Sequence, residues 1–297
     1  MGGMKLLVAT DFSPASPTIE TLKARPWPEG SSVCVLHVVD LAPFEPNAEI
    51  LETARRGAES VVQALTADLN RSGLRARGEV VIGHPRTAIA DFAKSWGADL
   101  ILLGSHGTHG LARFFLGSTA RAVIRAAACS CEIVRPSVKE PSAGTCGWRI
   151  LLASDGSEYA KKAAQSVAKR PWPTGSVVRV VSVVAPFMPF ADAGASYFEP
   201  GQAAGIGSVI EAEMRTQAIE SIGETTEIMR GGCPVEIEKV DPIRGDPKRA
   251  IVEEATKWGA TMIVVGSHGR RGFDLLLMGS VSEFVAMHAH CSVEVIR

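Results

Sequence analysis

Three short segments of this chain occur twice, and the two copies of each are 162 residues apart. A constant offset over so long a distance indicates that a whole domain has been duplicated, because the repeats of solenoid proteins recur at much shorter periods. Two similar halves are therefore predicted. The paired segments are Trp96–Ala98 with Trp258–Ala260, Gly104–Gly107 with Gly266–Gly269, and Gly117–Ser118 with Gly279–Ser280.

The length of 297 residues fits two domains of about 150 residues each. We place the first domain at residues 1–137, a linker containing Pro, Ser and Gly at 138–147, and the second domain at 148–297. A fourth segment, Arg25–Pro28, returns as Arg170–Pro173 at a shorter offset. Its tryptophans, Trp27 and Trp172, are interpreted as packing residues.

Each half alternates short apolar runs with longer segments of helical pattern. Several runs are continuously apolar, which is typical of parallel strands covered on both faces. Strands and helices in alternation imply right-handed crossovers and a doubly wound α/β sheet. In the first half the predicted strands are Leu6–Ala9, Val33–Val39, Glu79–Ile82, Leu100–Leu103 and Glu132–Val134, and the predicted helices are Pro14–Ala24, Glu49–Ser72, Arg86–Trp96 and Ser118–Ala127.

Composition argues against several classes of function. A net charge of −1 gives no broad electrostatic footprint for nucleic acid or for an anionic membrane. No apolar run approaches the length that a bilayer requires, and the first apolar stretch is too short for a secretory signal, so we expect a cytoplasmic location. The six cysteines include one close pair, Cys129 and Cys131, but no second pair as a zinc site would need, so no metal site is predicted.

The repeated glycine segments carry the clearest functional signal. Each follows an apolar strand and runs as Gly, two residues, Gly, nine residues and Gly-Ser into a helical stretch. Glycine lets a backbone approach a phosphate and adopts positive φ readily, and the N-terminus of the following helix attracts anions. Ser118 and Ser280 are predicted at the N-cap positions of these helices. Two copies with one spacing weaken the alternative, in which the glycines only make tight turns.

Two other phosphate-binding motifs do not fit. Neither glycine segment contains the Gly-Lys-Ser/Thr step of the P-loop. The dinucleotide fingerprint places its glycines after the first strand, whereas the first strand here ends in Ala9-Thr10-Asp11.

The glycine spacing, together with an acidic residue after the first strand, resembles the universal stress protein (UspA) family in its ATP-binding subgroup. The resemblance covers nearly the whole chain, once in each half, as in the family's tandem-domain members. It implies two Rossmann-like domains, similar to adenine nucleotide α-hydrolases, that pack as a pseudo-dimer. Each would hold a five-stranded parallel sheet of order 3-2-1-4-5, so strands one and four would end side by side at the switch point where open α/β sheets bind ligands.

The resemblance also implies which residues bind the nucleotide. Asp11 and Asp155 match the residue beside the adenosine, and Val38 and Val183 match the second-strand residue whose backbone meets the adenine edge. The other matched positions precede the acidic residue or form the ribose and phosphate loop. They are Thr10, Gly104, Gly107, Gly117, Ser118 and Thr119 in the first half, and Ser154, Gly266, Gly269, Gly279, Ser280 and Val281 in the second.

Some of these residues and their neighbours have a second interpretation. Asp11 and Asp155 are also placed to cap the first helix of each half, and we expect both roles. His268 and its counterpart His106 are interpreted as turn histidines beside the phosphates rather than as catalytic groups, because no carboxylate partner is evident. Arg270 either touches the terminal phosphates or is a solvated loop charge.

The predicted function is that of an ATP-binding protein that senses nucleotide in a stress response, with hydrolysis slow at most. The alternatives are an ATP-consuming enzyme of the same superfold and a scaffold that binds no nucleotide. The expected ligand is ATP or ADP, with Mg²⁺ as a candidate companion ion. An unidentified protein partner and a homodimer of the tandem chain are further candidates, whereas nucleic acid and membrane partners are not expected.

One insertion distinguishes the halves. From Val38 to Gly83 the first half has 45 residues, and from Val183 to Gly245 the second has 62, so 17 are inserted. Their predicted place is Ala185–Gly207, a loop with four aromatic residues at the carboxyl edge of the sheet. We expect it to act as a lid over the second site; the alternatives are a disordered insertion and one that packs against another domain or chain.

Overall fold

A computed structural model describes residues 2–12, 17–40, 42, 48–105, 116–136, 147–186, 200–232, 235–270 and 278–297, and for residues 200–206 the backbone alone. Helices and strands alternate in both halves. The first half contains β1 (Lys5–Ala9), α1 (Thr18–Ala24), β2 (Ser32–Val39), α2 (Ala48–Arg71), β3 (Arg75–Ile82), α3 (Pro85–Trp96), β4 (Leu100–Gly104), α4 (Ser118–Ala126) and β5 (Ser130–Val134). The second half contains β6 (Arg149–Ala153), α5 (Glu158–Ala168), β7 (Val177–Val181), β8 (Val183–Val184), α6 (Pro200–Arg230), β9 (Glu236–Lys239), β10 (Ile243–Arg244), α7 (Pro247–Trp258), β11 (Met262–Gly266), α8 (Ser280–His288) and β12 (Ser292–Ile296).

The repeated Trp-Gly-Ala segment is a helix end. Gly97 and Gly259 follow α3 and α7 in the left-handed conformation, with φ of 70° and 74°. The N–H of the next alanine donates to a helix carbonyl five residues earlier at 2.8 Å in both halves. Glycine takes this conformation without Cβ strain, so this duplicated segment stabilises the fold rather than binding a ligand.

Ten strands form one continuous sheet in the order β3-β2-β1-β4-β5-β12-β11-β6-β7-β9. Within each half the strands are parallel and follow the order 3-2-1-4-5, which confirms the predicted pair of doubly wound α/β domains. The halves meet where β5 and β12 pair antiparallel, with Glu132 directly opposite Glu294. This pairing relates the halves as two subunits of a dimer, as the predicted pseudo-dimer requires.

The core differs on the two faces of the sheet. On one face a single apolar cluster runs through both halves and includes Ile124 of α4 and Val285 of α8. The other face holds a separate cluster in each half, one around Leu22 of α1 and one around Val167 of α5. Within the described residues, no helix has both the length and the apolar character that crossing a bilayer would take.

Two buried ion pairs lie at the junction between the halves. Arg25 donates to both carboxylate oxygens of Glu132, at 2.8 and 2.7 Å, and Arg170 pairs with Glu294 in the same way. The Arg25 guanidinium also lies 4.5 Å from the ring centre of Trp148, and the tryptophans of both Arg-Pro-Trp-Pro segments lie within 5.8 Å of it. These tryptophans are therefore packing residues, as predicted, and their segments supply the arginines of the junction.

Two strands differ from their expected form. β3 begins four residues before its predicted start, because it is an edge strand whose exposed charged residues hide the apolar pattern. In the second half, β8 leaves the main sheet and pairs with β10. Pro242 lies just before β10 and has no N–H to donate, which interrupts the ladder between the second and third strands of this half.

The predicted insertion is only partly a loop. Pro200 begins α6, so residues 200–207 are helical, and the prediction of a loop over Ala185–Gly207 is wrong for that part. Proline is favoured in the first turn of a helix, where its missing N–H would have no helical partner anyway. Residues 187–199, with the aromatic residues of the lid hypothesis, lie outside the described residues, as do residues 14–16 of the predicted first helix and the linker residues 138–146.

Candidate functional site

The turn after β6, the first strand of the second half, is hydrogen-bonded to the glycine loop. One carboxylate oxygen of Asp155 accepts the N–H of Ser157 at 3.0 Å, and the other accepts the N–H of Arg270 at 3.1 Å. Gly156 follows with φ of 77°. Ser157, not Asp155, is the N-cap of α5, and Pro17 is the N-cap of α1, so the predicted capping role of Asp155 and Asp11 is wrong. Asp155 instead holds two loops together.

The glycines of the second loop are required by close packing. A Cβ on Gly266 would lie 2.7 Å from the backbone of Tyr159, and one on Gly269 would lie 2.7 Å from an Asp155 oxygen. A Cβ on Gly279 would lie 2.9 Å from a backbone carbonyl. None of the three has positive φ, so the expectation that they supply unusual backbone angles is wrong. Their small size lets the loop lie against the strand turn.

The N-terminus of α8 borders the loop. Gly279 is the N-cap, and its N–H donates a hydrogen bond to the Ser267 carbonyl at 2.8 Å. Ser280 is therefore the first helical residue and not the N-cap, which corrects the prediction. The N–H groups of Ser280, Val281 and Ser282 have no carbonyl within the helix to bind, and the positive end of the helix dipole lies there, so this end can hold an anion.

The first half repeats this geometry at α4. Gly117 is the N-cap, and its N–H donates to the Ser105 carbonyl at 2.8 Å. Ser118 and Thr119 are therefore the first two helical residues, and Ser118 is likewise not the N-cap. Gly107 and His106 belong to residues 106–115, which lie outside the described residues.

A cavity of about 540 Å³ opens at the carboxyl ends of β6 and β11. Its lining includes apolar side chains, among them Val183, Ile251 and Val265. It also includes polar groups, among them Asp155 and the first residues of α8. The volume suits a small molecule of nucleotide size. The location is the switch point of the doubly wound sheet, where the sequence predicts the site.

Arg270 connects this cavity to α6. Its guanidinium donates to Gln217 at 2.9 Å and to Ser221 at 2.8 Å, and Thr225 one turn further donates to Ser154 at 2.7 Å. Arg270 is therefore held by a helix and is not a free loop charge. The sequence analysis missed these α6 residues; their spacing of four places them on one helix face, but polar residues at that spacing are also typical of a solvated helix.

His268 is buried beside the cavity. Its Nδ1 lies 3.0 Å from the Ser267 hydroxyl, and its ring centre lies 4.9 Å from that of Tyr159. The ring therefore contacts both its own loop and α5.

The strand turn of the first half shares one contact with that of the second and differs in the others. The Thr10 hydroxyl accepts the N–H of Phe12 at 3.0 Å, as the Ser154 hydroxyl accepts that of Gly156 at 3.3 Å. Phe12 has φ of 61°, which is uncommon for a bulky residue, at the place where the second half has Gly156. The Phe12 ring stacks on His37 at 3.9 Å between ring centres, and His37 Nδ1 lies 2.9 Å from the Thr10 carbonyl. Burial lowers the pKa of His37, although the Thr10 carbonyl and Asp11 oppose that shift.

The remaining predicted residues occupy equivalent places in the halves. Val38 is buried and pairs with β3, and Val183 pairs with β10 and lines the cavity. Gly104 ends β4 as Gly266 ends β11. The structure thus brings all the predicted second-half residues together around one cavity.

A family model described as the Universal stress protein family matches residues 4–135 and again residues 148–297. The chain belongs to the universal stress protein family. Universal stress protein Sll1388 of Synechocystis is 33% identical to it over 153 residues, which cover 46% of this chain and 99% of that protein. A universal stress protein of Mycolicibacterium smegmatis is 28% identical over 250 residues, covering 83% of this chain and 77% of its own length. The crystal structure of a universal stress protein from Archaeoglobus fulgidus has the same fold, with a TM-score of 0.63 at 19% identity, covering 99% of this chain and 96% of that one.

None of the four cysteines in the described part of this universal stress protein lines the cavity. Cys34, Cys131 and Cys291 are buried, and Cys129 is half-buried. Burial raises the pKa of Cys34 and Cys129 to about 11, so they are protonated at neutral pH. In the described part of the chain, no three metal-binding side chains lie close enough together to hold an ion.

Proposed function

We propose that this tandem universal stress protein binds an adenine nucleotide, foremost ATP, in each half and acts as a nucleotide-dependent regulator. The observation that carries the proposal is the second-half cavity, whose lining combines apolar side chains with the N-terminus of α8. A nucleotide combines the matching groups, since its base is planar and largely apolar and its phosphates are anionic. The repeated N-cap geometry at α4 extends the proposal to the first half.

The charges of the cavity suggest how the nucleotide would be oriented. The Asp155 carboxylate would repel phosphates and suits the base and ribose end, which agrees with the adenosine role that the resemblance implies. The phosphates would then lie at the N–H groups of Ser280 and Val281, in a cavity that Arg270 also lines. Mg²⁺ generally binds through substrate phosphates and water, so it would arrive with the nucleotide rather than occupy a protein cage.

Slow hydrolysis follows from the groups at hand. Both Asp155 oxygens already accept backbone N–H groups, and the His268 ring packs on Tyr159. Among the described residues that line the cavity there is one arginine and no lysine. Turnover is therefore expected well below the roughly 10 s⁻¹ of a median enzyme. The expected output is a change in conformation or in affinity for a protein partner.

The test is a calorimetric titration with ATP, ADP and cyclic AMP, applied to the wild type and to Ser118→Glu and Ser280→Glu. Both serines are exposed first residues of their helices. Glutamate there favours the helix but puts a negative charge where the phosphates would bind. A substitution of Gly279 would not serve this test, because its new Cβ would collide with the backbone whether or not a ligand binds.

The wild type should bind two equivalents, each single variant one, and the double variant none. Ser118→Gln and Ser280→Gln are the matched neutral controls and should keep binding. No saturable binding at millimolar nucleotide would contradict the proposal and favour a scaffold. Rapid turnover that the double variant abolishes would favour the ATP-consuming enzyme.

A further inference from the structure

Both phosphate-facing helices end at the junction between the halves. The first turn of α8 borders the second cavity, and α8 ends at His288 beside β5 of the first half. In the same way, α4 begins at the first site and ends at Ala126 beside β12 of the second half. At each C-terminus the last carbonyls have no partner within the helix and carry the negative end of the dipole.

An arginine from the first half covers the end of α8. Arg135 donates to the Ala286 carbonyl at 2.6 Å, and longer bonds of 3.4 Å join it to the carbonyls of Met287 and Cys291. Arg135 is among the most deeply buried side chains, and burial lowers its pKa to about 10. Within the described residues no carboxylate pairs with it, so the end of α8 supplies the main compensation for its charge.

An arginine from the second half covers the end of α4 in the same way. Arg297 lies 162 positions after Arg135, at the end of β12. It donates to the carbonyls of Ile124 and Arg125 at 2.8 and 3.2 Å. The two helices also touch directly, because Glu283 in the first turn of α8 pairs with Arg125 and lies 3.4 Å from Arg121 of α4.

We propose that Arg135 and Arg297 are positioning residues that act across the junction, so that each sets the nucleotide affinity of the opposite half. The arginine holds the helix from its C-terminal end, and the helix presents its N–H groups to the phosphates at the other end. α8 packs in the shared core, so a loosened C-terminus shifts the whole helix rather than a loop. This inference rests on the proposed nucleotide binding.

The experiment measures each site alone. Ser118→Glu leaves only the second site, and Ser280→Glu leaves only the first. Arg135→Met and Arg297→Met are placed in both backgrounds, and ATP affinity is measured by calorimetry. Arg135→Met should weaken the second site roughly three- to tenfold and leave the first unchanged, and Arg297→Met should do the reverse. Thus each substitution should act on the domain that does not contain it.

Three controls separate positioning from general loss of structure. Arg135→Lys and Arg297→Lys keep a positive donor and should restore most of the affinity. Arg71→Met removes an exposed arginine from the first half and should change neither site. Arg297 is less buried than Arg135, so its variant keeps the test decisive if Arg135→Met does not fold.

The outcomes distinguish this inference from the proposed function. A wild type that binds no nucleotide overturns both. If the wild type binds two equivalents, three results for the arginine variants overturn the positioning role alone. The variants could weaken both sites equally, weaken the site of their own half, or lower the melting temperature without changing affinity.

Discussion

Replacing Arg25 by methionine should destabilise the junction between the halves severely. The side chains of Arg25 and Glu132 are both 0% exposed and share two hydrogen bonds. Methionine fills much of the same volume but leaves the Glu132 carboxylate buried without its cation. Residues directly opposite on antiparallel strands present their side chains to the same face, so this carboxylate also lies near that of Glu294.

The expected loss is a large share of the stability of the chain. Removing one partner of a buried ion pair costs about 3–5 kcal/mol, because the remaining charge is desolvated and unpaired. The lost contact of the guanidinium with Trp148 adds to it, by about 0.5–2 kcal/mol. Native domains typically have only about 5–15 kcal/mol of unfolding free energy, so the variant should lie near the limit of folding at elevated temperature.

Urea unfolding, followed by tryptophan fluorescence and far-UV circular dichroism, measures this loss. Adding Glu132→Met to Arg25→Met removes the unpaired charge and should recover roughly 2 kcal/mol or more. Arg56→Met, which removes an exposed ion pair with Glu52, should leave the transition midpoint unchanged. A loss under about 1 kcal/mol for Arg25→Met, or a double variant no more stable than the single one, would refute the reasoning.

Two further predictions concern the strand turns. Because burial lowers the pKa of His37, the unfolded chain binds a proton more readily than the folded one, and stability should fall as pH drops through about 6.5; His37→Gln should flatten the melting temperature between pH 7.5 and 5.5, and an unchanged slope would contradict this. Gly156→Ala forces a Cβ at φ of 77° to within 2.7 Å of Ser221, and should cost roughly 1–3 kcal/mol. Gly57→Ala in α2 is the control, because its Cβ meets no atom within 4 Å; it should stabilise the chain by about 0.4–1 kcal/mol. Equal effects of the two changes in thermal unfolding would argue against the close approach of Ser221 to Gly156.

Local pattern was enough to predict two doubly wound parallel sheets, and the family resemblance implied their strand order and hence the switch point. The continuously apolar strands and the constant offset of the glycine segments both reflect contacts that are close in sequence or repeated. The antiparallel pairing of β5 with β12 was not predicted, because its central residues are Glu132 and Glu294, and buried glutamates do not look like core residues. Their burial depends on arginines more than 100 positions away in the chain.

The sequence also did not show why the glycines of the second loop are required. Gly266, Gly269 and Gly279 are required by the approach of Tyr159, Asp155 and a backbone carbonyl, and none of these contacts is local. The spacing of the glycines along the sequence is the same whether they allow a close approach or supply positive φ, so the sequence does not distinguish the two roles.

The two halves differ at the turn after the first strand, although the scaffold around it is shared. In the second half this turn is held by α6, through Thr225 on Ser154 and through Arg270, whose own N–H binds Asp155. In the first half it is held by the stack of Phe12 on His37, a residue whose pKa is lowered by burial. The acidic residue of each site is therefore positioned by different chemistry. The different turns should therefore give the two sites different nucleotide affinities. This difference should vary with pH, because protonation of His37 alters the turn of the first half.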